Sequence, residues 1–274
     1  MKNSEIPVRR YMKAPVHTVH MDSTLQTAYE RLRDHGISCL AVVDDSEQLV
    51  GVISRSDLLR IGRYEAGNPS HGEARTRLLR LPARSVGESM TRDVLCVRPD
   101  DAVAAACQRM LRRQVHRVFV IEGQDDNASR QCAVGVLSTR DVMETVRDLR
   151  LATPIEAVMS RPVFTVAATD PVSLAAAKLD QARISGLVVV DEDWPIGLFT
   201  QEEALRVRDL PGDTAVEEVM NPAFVCMPPQ TRVFRAAEQA AAMSVRRIIV
   251  SQQRDMAGIV SGLDFVRVAS DPSA

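Results

Sequence analysis

Gly51-Val52-Ile53-Ser54-Arg55-Ser56-Asp57 is a glycine, two apolar residues, a hydroxyl residue and, three positions later, an acid. The order returns as Gly135-Val136-Leu137-Ser138-Thr139-Arg140-Asp141 and as Gly258-Ile259-Val260-Ser261-Gly262-Leu263-Asp264. A further version, Gly197-Leu198-Phe199-Thr200-Gln201-Glu202-Glu203, carries glutamate where the others carry aspartate. The apolar residues read as a strand and the hydroxyl residue as the cap of a short helix that starts directly after it. Hydroxyl and acid three residues apart form a capping box, and capping alone explains such a pair in any protein. Four occurrences point to an internal repeat.

The surrounding residues repeat as well. Met12, Met90, Met159 and Met220 open similar stretches, and 25 residues on from each stand Ile37, Val115, Ile184 and Val245. A short β-prone run follows each methionine: Val16–Val19, Val94–Val97, Val163–Val166 and Phe224–Met227. An amphipathic helix comes next, with apolar residues at i, i+3, i+4 and i+7. Its stripe is Leu25, Ala28, Tyr29 and Leu32 in the first copy and Val103, Ala106, Cys107 and Met110 in the second. It is Val172, Ala175, Ala176 and Leu179 in the third and Val233, Ala236, Ala237 and Ala240 in the fourth. Asp22-Ser23, Pro99-Asp100, Asp170-Pro171 and Pro229-Gln230 mark the expected starts. Continuous apolar runs, Cys39–Val43, Val118–Ile121, Leu187–Val190 and Ile248–Val250, suit strands buried on both faces. The fold class expected is α/β (α+β), built from four β-α-β-β-α units. A repeat says that units stack to bury a shared core; it does not say that they bind anything.

The capping geometry has a second use. Amides at a helix start, together with a hydroxyl, favour a phosphate. A carboxylate one turn on can accept from the two vicinal hydroxyls of a ribose. With four motifs in register, the chain resembles a tandem of four CBS domains, that is, two Bateman modules, over about residues 6 to 270. The resemblance implies pseudo-twofold modules packed as a disc, with clefts that take AMP, ADP or ATP, less often S-adenosylmethionine, NAD or a cyclic dinucleotide. It implies ribose contacts for Asp57, Asp141 and Asp264, with Glu203 the doubtful member. It places Ser54, Ser138, Ser261 and Thr200 near phosphate. The first strand, at Val94 and Phe224, would read the adenine edge, and Val118 and Ile248 would flank the base. An ATP ligand would bring Mg2+ with it.

Before the second strand, copy two reads His116-Arg117 and copy four Arg246-Arg247, where copies one and three have Ser38-Cys39 and Ser185-Gly186. Arginine grips phosphate bidentately, and His116 adds a donor. The His-Arg pair resembles the phosphate-contacting pair of adenylate-sensing kinase γ subunits. Together with Arg140, these residues predict one better phosphate site per module, around copies two and four. Surface ion pairing is the alternative for each arginine.

The expected divisions are copy one at 6–64, a linker at 65–84, and copies two, three and four at 85–150, 151–210 and 211–270. Copies one and two pair, as do three and four. Ala74 to Leu81 reads as a short basic helix and Gln124 to Gln131 as a polar hairpin extension. Of the 274 residues, 45% are hydrophobic and 26% charged, with net charge −2. That is a soluble globular composition, and it argues against a polyanion-binding chain of large positive excess. No run of about 18 apolar residues is present, so no membrane contact is expected. Met1 to Lys13 lacks a signal's apolar core. Five cysteines without a C-x-x-C spacing read as buried, reduced thiols of a cytoplasmic protein. Neither a metal-ligand spacing nor a nucleophile–base pair stands out, so the expectation is a regulatory module and not an enzyme. Its partners would be an adenosine-bearing small molecule and an unidentified protein, with a homodimer as an option and no nucleic acid. The rival reading is a ligand-independent interaction scaffold with vacant clefts.

Overall fold

The computed structural model describes residues 6–66, 77–122, 132–253 and 255–271. Copy one contains β1 (Thr18–His20), α1 (Leu25–Asp34), β2 (Cys39–Val43), β3 (Leu49–Ser54) and α2 (Arg55–Ile61). A two-stranded hairpin, β4 (Arg63–Ala66) and β5 (Arg77–Arg80), leads to copy two. Copy two has β6 (Cys96–Val97), α3 (Val103–Arg113), β7 (Arg117–Glu122), β8 (Cys132–Ser138) and α4 (Thr139–Asp148). Copy three has β9 (Thr165–Ala167), α5 (Val172–Gln181), β10 (Gly186–Asp191), β11 (Trp194–Thr200) and α6 (Gln201–Arg206). Copy four has β12 (Val225–Met227), α7 (Val233–Ala242), β13 (Ile248–Gln252), β14 (Asp255–Val260) and α8 (Gly262–Ala269).

Each copy makes a three-stranded sheet, with the second strand central, parallel to the first and antiparallel to the third. The central strands have their apolar middles buried because helices cover one face and the neighbouring sheet covers the other. The helix stripes are buried as their period demands: Leu25, Ala28, Tyr29 and Leu32 in α1, and Val233, Ala236, Ala237 and Ala240 in α7. The starts differ from expectation. Thr24 caps α1, accepting from the Thr27 amide, while α3, α5 and α7 begin without a side-chain cap bond.

The sheets of copies one and two meet through Cys39, Ala41 and Phe119, and those of copies three and four through Val188, Leu198 and Ile249. The helices bury themselves across modules. The α4 helix packs on α7 and α8, and α3 on α8; α2 packs on α5 and α6. Copy two therefore shares one core with copy four, and copy one shares another with copy three.

The segment entering each copy crosses to its partner. Val8 donates to Asp101 O and Val86 to Ser23 O; Ile155 donates to Thr231 O and Val216 to Asp170 O, all at 2.8–3.0 Å. This exchange explains the glycine of the motif. A Cβ on Gly135 would sit 2.7 Å from Met12 Sδ, and one on Gly51 would meet Met90 Sδ. A Cβ on Gly197 would lie 2.5 Å from Met220 Sδ and 2.8 Å from Asn221 O, and one on Gly258 would lie 2.5 Å from Met159 Sδ. The glycine gives the partner's methionine room.

Two expectations need correction. Residues 77–80 of the supposed basic helix form strand β5, because they find partners in β4 and in Arg208 O, to which the Leu79 amide donates at 3.0 Å. Leu79 is buried in the core of copies one and three. Residues 74–76 and the expected extension at 124–131 lie outside the described residues. Cys39 and Cys107 are buried, but Cys132, the first residue of β8, and Cys226, in the edge strand β12, are exposed.

Candidate functional site

The four motif acids are all buried, at 8% for Asp57, 2% for Asp141, 5% for Glu203 and 1% for Asp264. Each completes its capping box. Asp57 Oδ2 accepts from the Ser54 amide at 3.0 Å and from Ser54 Oγ at 2.7 Å. For Asp141 and Ser138 the distances are 2.7 and 2.6 Å, and for Asp264 and Ser261 they are 2.7 and 2.8 Å. Glu203 Oε2 makes the same pair of contacts with Thr200, so the longer side chain preserves the local geometry.

The motif helices meet at their starts. Arg55 Nη1 of α2 contacts Glu202 Oε2 of α6 at 2.5 Å, and Ser56 Oγ donates to Gln201 Oε1 at 2.9 Å. Gly262 of α8 abuts Thr139 of α4, where a Cβ would lie 2.5 Å from Thr139 Oγ1. The arginines before the central strands reach into copies other than their own. Arg117 Nη2 donates to Ser38 Oγ at 2.7 Å, and Arg246 Nη1 approaches the same oxygen at 3.5 Å. Arg247 Nη2 donates to Ser185 Oγ at 2.5 Å, with its guanidinium against Gly186. The uncharged slots of copies one and three are thus supplied with charge by copies two and four. Sequence spacing alone does not reveal that crossing.

Arg55, Arg117, Arg140 and Arg247 gather around Arg246 as one basic cluster. Burial lowers the Arg246 guanidinium below its usual range, helped by repulsion from Arg140, Arg55 and Arg117. Burial first, and Arg246 second, lower Arg247 to about 10. Glu202 and Glu203 offset part of this charge. Burial lowers His116 to about 4, with Arg117, Arg247 and Arg246 adding to the effect. His116 is exposed over much of its surface, and Arg246 and Arg247 are half-buried, so water reaches all three. Val94 and Phe224 border the sheet interfaces. Val118 and Ile248 are each 0% exposed, inside the core of copies two and four.

The His116 shift has a sign that can be checked. Its folded pKa lies below the unfolded value of about 6.5, so its contribution to stability is complete above pH 6.5 and is lost as pH falls toward 4. The whole shift corresponds to about 3 kcal/mol, and solvent screening of the exposed ring reduces this to about 1 kcal/mol. His116→Gln should flatten the fall in melting temperature between pH 7 and pH 4.5 relative to the parent protein. Parallel curves would contradict the assignment.

Among the described residues, no cluster of three or more His, Cys, Asp and Glu side chains could hold a metal ion, and no helix is long and apolar enough to cross a membrane. The model of the CBS domain family matches the chain four times, at residues 8–64, 83–148, 155–209 and 216–271. An uncharacterized 33.4 kDa protein in a ribosomal RNA operon of Thermofilum pendens is 25% identical over 201 residues, covering 71% of this chain and 62% of that one. The 5'-AMP-activated protein kinase subunit gamma-3 of Bos taurus is 26% identical over 126 residues, covering 44% of this chain and 22% of that one. A solved Methanocaldococcus jannaschii protein, proposed as an archaeal homolog of g-AMPK, superimposes with a TM-score of 0.77 at 16% identity, covering 96% of this chain and 99% of that one. At that identity the likeness concerns the fold alone. The chain spans 62% of the length of each of the first two curated relatives. Four matched segments, coinciding with four sheets that each end in a capped motif helix, establish that the chain belongs to the CBS-domain family.

Proposed function

We propose that the chain is a regulatory module that binds an adenine nucleotide, AMP, ADP or ATP, and passes its occupancy to a partner protein. The observation that carries this reading is the arginine cluster. Five arginines from three copies gather near Glu202 and Glu203, and burial, with mutual repulsion second, holds Arg246 and Arg247 below their ordinary pKa range. A phosphate there replaces repulsion between guanidinium groups with charge-assisted hydrogen bonds, and the motif carboxylates are acceptors of the kind a ribose diol needs. The similarity to a kinase subunit named for activation by 5'-AMP supports an adenosine ligand. ATP would arrive with Mg2+. Signalling requires that the ligand favour one arrangement of the modules over another. We place the chain in the cytoplasm, in keeping with its free cysteines, and assign it no catalytic role.

The expected result is that AMP, ADP or ATP raises the melting temperature. A ligand at a hundred times its dissociation constant adds about 2.7 kcal/mol. Asp141→Ala should remove most of that gain. No shift with any of the three at millimolar concentration would reject the reading and favour a ligand-independent scaffold.

A further inference from the structure

The residue that follows the motif methionine occupies one structural position in all four copies. Lys13 pairs with Val136, Thr91 with Val52, Ser160 with Ile259 and Asn221 with Leu198, each through two amide–carbonyl bonds of 2.8–3.1 Å. Each partner is the first apolar residue after the motif glycine. In two copies this brings the side chain to the acid of the other copy, Lys13 to Asp141 and Ser160 to Asp264, and what it does there differs.

In copy four, Asp264 Oδ2 is committed to the capping box. Its other oxygen, Oδ1, accepts from Ser160 Oγ at 2.8 Å and from Arg267 Nη1 at 3.2 Å. A carboxylate oxygen offers about two lone-pair sites, so this carboxylate is saturated. In copy two, Asp141 Oδ2 is committed in the same way. Its Oδ1 has only Lys13 Nζ at 3.9 Å, beyond hydrogen-bond distance, because that ammonium sits on Glu144 Oε2 at 3.2 Å. Among the described residues no hydrogen bond reaches Asp141 Oδ1, although the side chain is 3% exposed. This oxygen is not sealed from solvent, so a donor from outside can reach it. Burial raises the Asp141 pKa above its usual range, more than the Ser138 hydrogen bonds and Lys13 lower it.

We propose that Asp141 is the open diol-binding carboxylate and Asp264 a closed one, and that the side chain after the motif methionine, Lys13 or Ser160, decides between them. This rests on the nucleotide reading and deepens it by ranking the sites. The two hydroxyls of a ribose would donate to the oxygen that Lys13 leaves free. At Asp264 they must first displace Ser160, which is short and held in register by its own backbone pairing. Arg267 is a surface arm and yields more readily.

Isothermal titration with AMP tests this on the full chain. The parent should show one tight class of site, lost in Asp141→Asn and retained in Asp264→Asn; asparagine keeps an oxygen that can accept the Ser138 or Ser261 amide. Ser160→Ala should tighten a second class by about tenfold, the equivalent of one good hydrogen bond. Lys13→Ser, which puts the copy-four side chain before Asp141, should weaken the first class by about as much. A 2',3'-dideoxy analogue of AMP should lose the difference between the classes. Two equal classes in the parent, loss in Asp264→Asn with retention in Asp141→Asn, or no response to Ser160→Ala would overturn the ranking and leave nucleotide binding standing. Absence of binding by AMP, ADP and ATP to every variant would overturn both.

Discussion

Phe265→Ala is expected to lower the unfolding free energy by about 3–5 kcal/mol, read as a shift of the chemical denaturation midpoint. Phe265 is 0% exposed and sits one residue after Asp264, in the core shared by copies two and four. That core takes its helices largely from alanine-bearing stripes: Ala106 in α3 and Ala236, Ala237 and Ala240 in α7. Small side chains let the helices approach but fill little volume. Aromatic residues are only 4% of the chain, so few large side chains are at hand to collapse into the space left by Phe265. Phe164 provides the internal comparison: it is 46% exposed, and its truncation should cost about 0.5 kcal/mol or less. Equal effects at the two positions would contradict the packing described. Phe265 also belongs to the helix that carries Asp264, so its loss should weaken the nucleotide response along with stability.

Gly197→Val should destabilise by about 1–3 kcal/mol, as overpacking of a tight contact does. The new Cβ would lie 2.8 Å from the backbone oxygen of Asn221. A side-chain neighbour such as Met220 can rotate away; a backbone carbonyl can withdraw only by breaking the pairing of Leu198 with Asn221, whose two bonds measure 2.8 and 2.9 Å. A fall in melting temperature checks this, and an unchanged value would mean that the segments can separate without loss.

Much of this structure is legible in the sequence because its information is local. The apolar period places α1, α3, α5 and α7, and the capped motif places the starts of α2, α4, α6 and α8. The stripe Leu25, Ala28, Tyr29 and Leu32 is buried as its spacing requires, and Cys39–Val43 is a central strand as its continuous apolar run requires. What escapes a local reading depends on partners far along the chain. Arg77-Leu78-Leu79-Arg80 has an acceptable helical pattern, but β4 and Arg208 offer it strand hydrogen bonds, and tertiary pairing overrides propensity. Arg117 and Arg247 look like assets of their own copies and deliver their charge to Ser38 and Ser185 in others. Substitution of glutamate for aspartate at position 203 looks like a lost site, yet Glu203 keeps the same cap bonds with Thr200. Lys13 and Ser160 are not legible as a pair in a local reading, because their meaning lies opposite Asp141 and Asp264. The signal that could have found them is their common place directly after a motif methionine.

The methionine and glycine that announce each copy are not partners of one another. Met12 needs Gly135, Gly51 needs Met90, and the later copies repeat the exchange with Met159, Gly258, Gly197 and Met220. A single copy lifted out of the chain holds half of two agreements and the whole of none. The smallest piece that can be duplicated, fused to another gene or allowed to drift on its own is therefore two copies long. Within it, any relief for a bulkier residue at one of these glycines has to come from the other copy, never from its own.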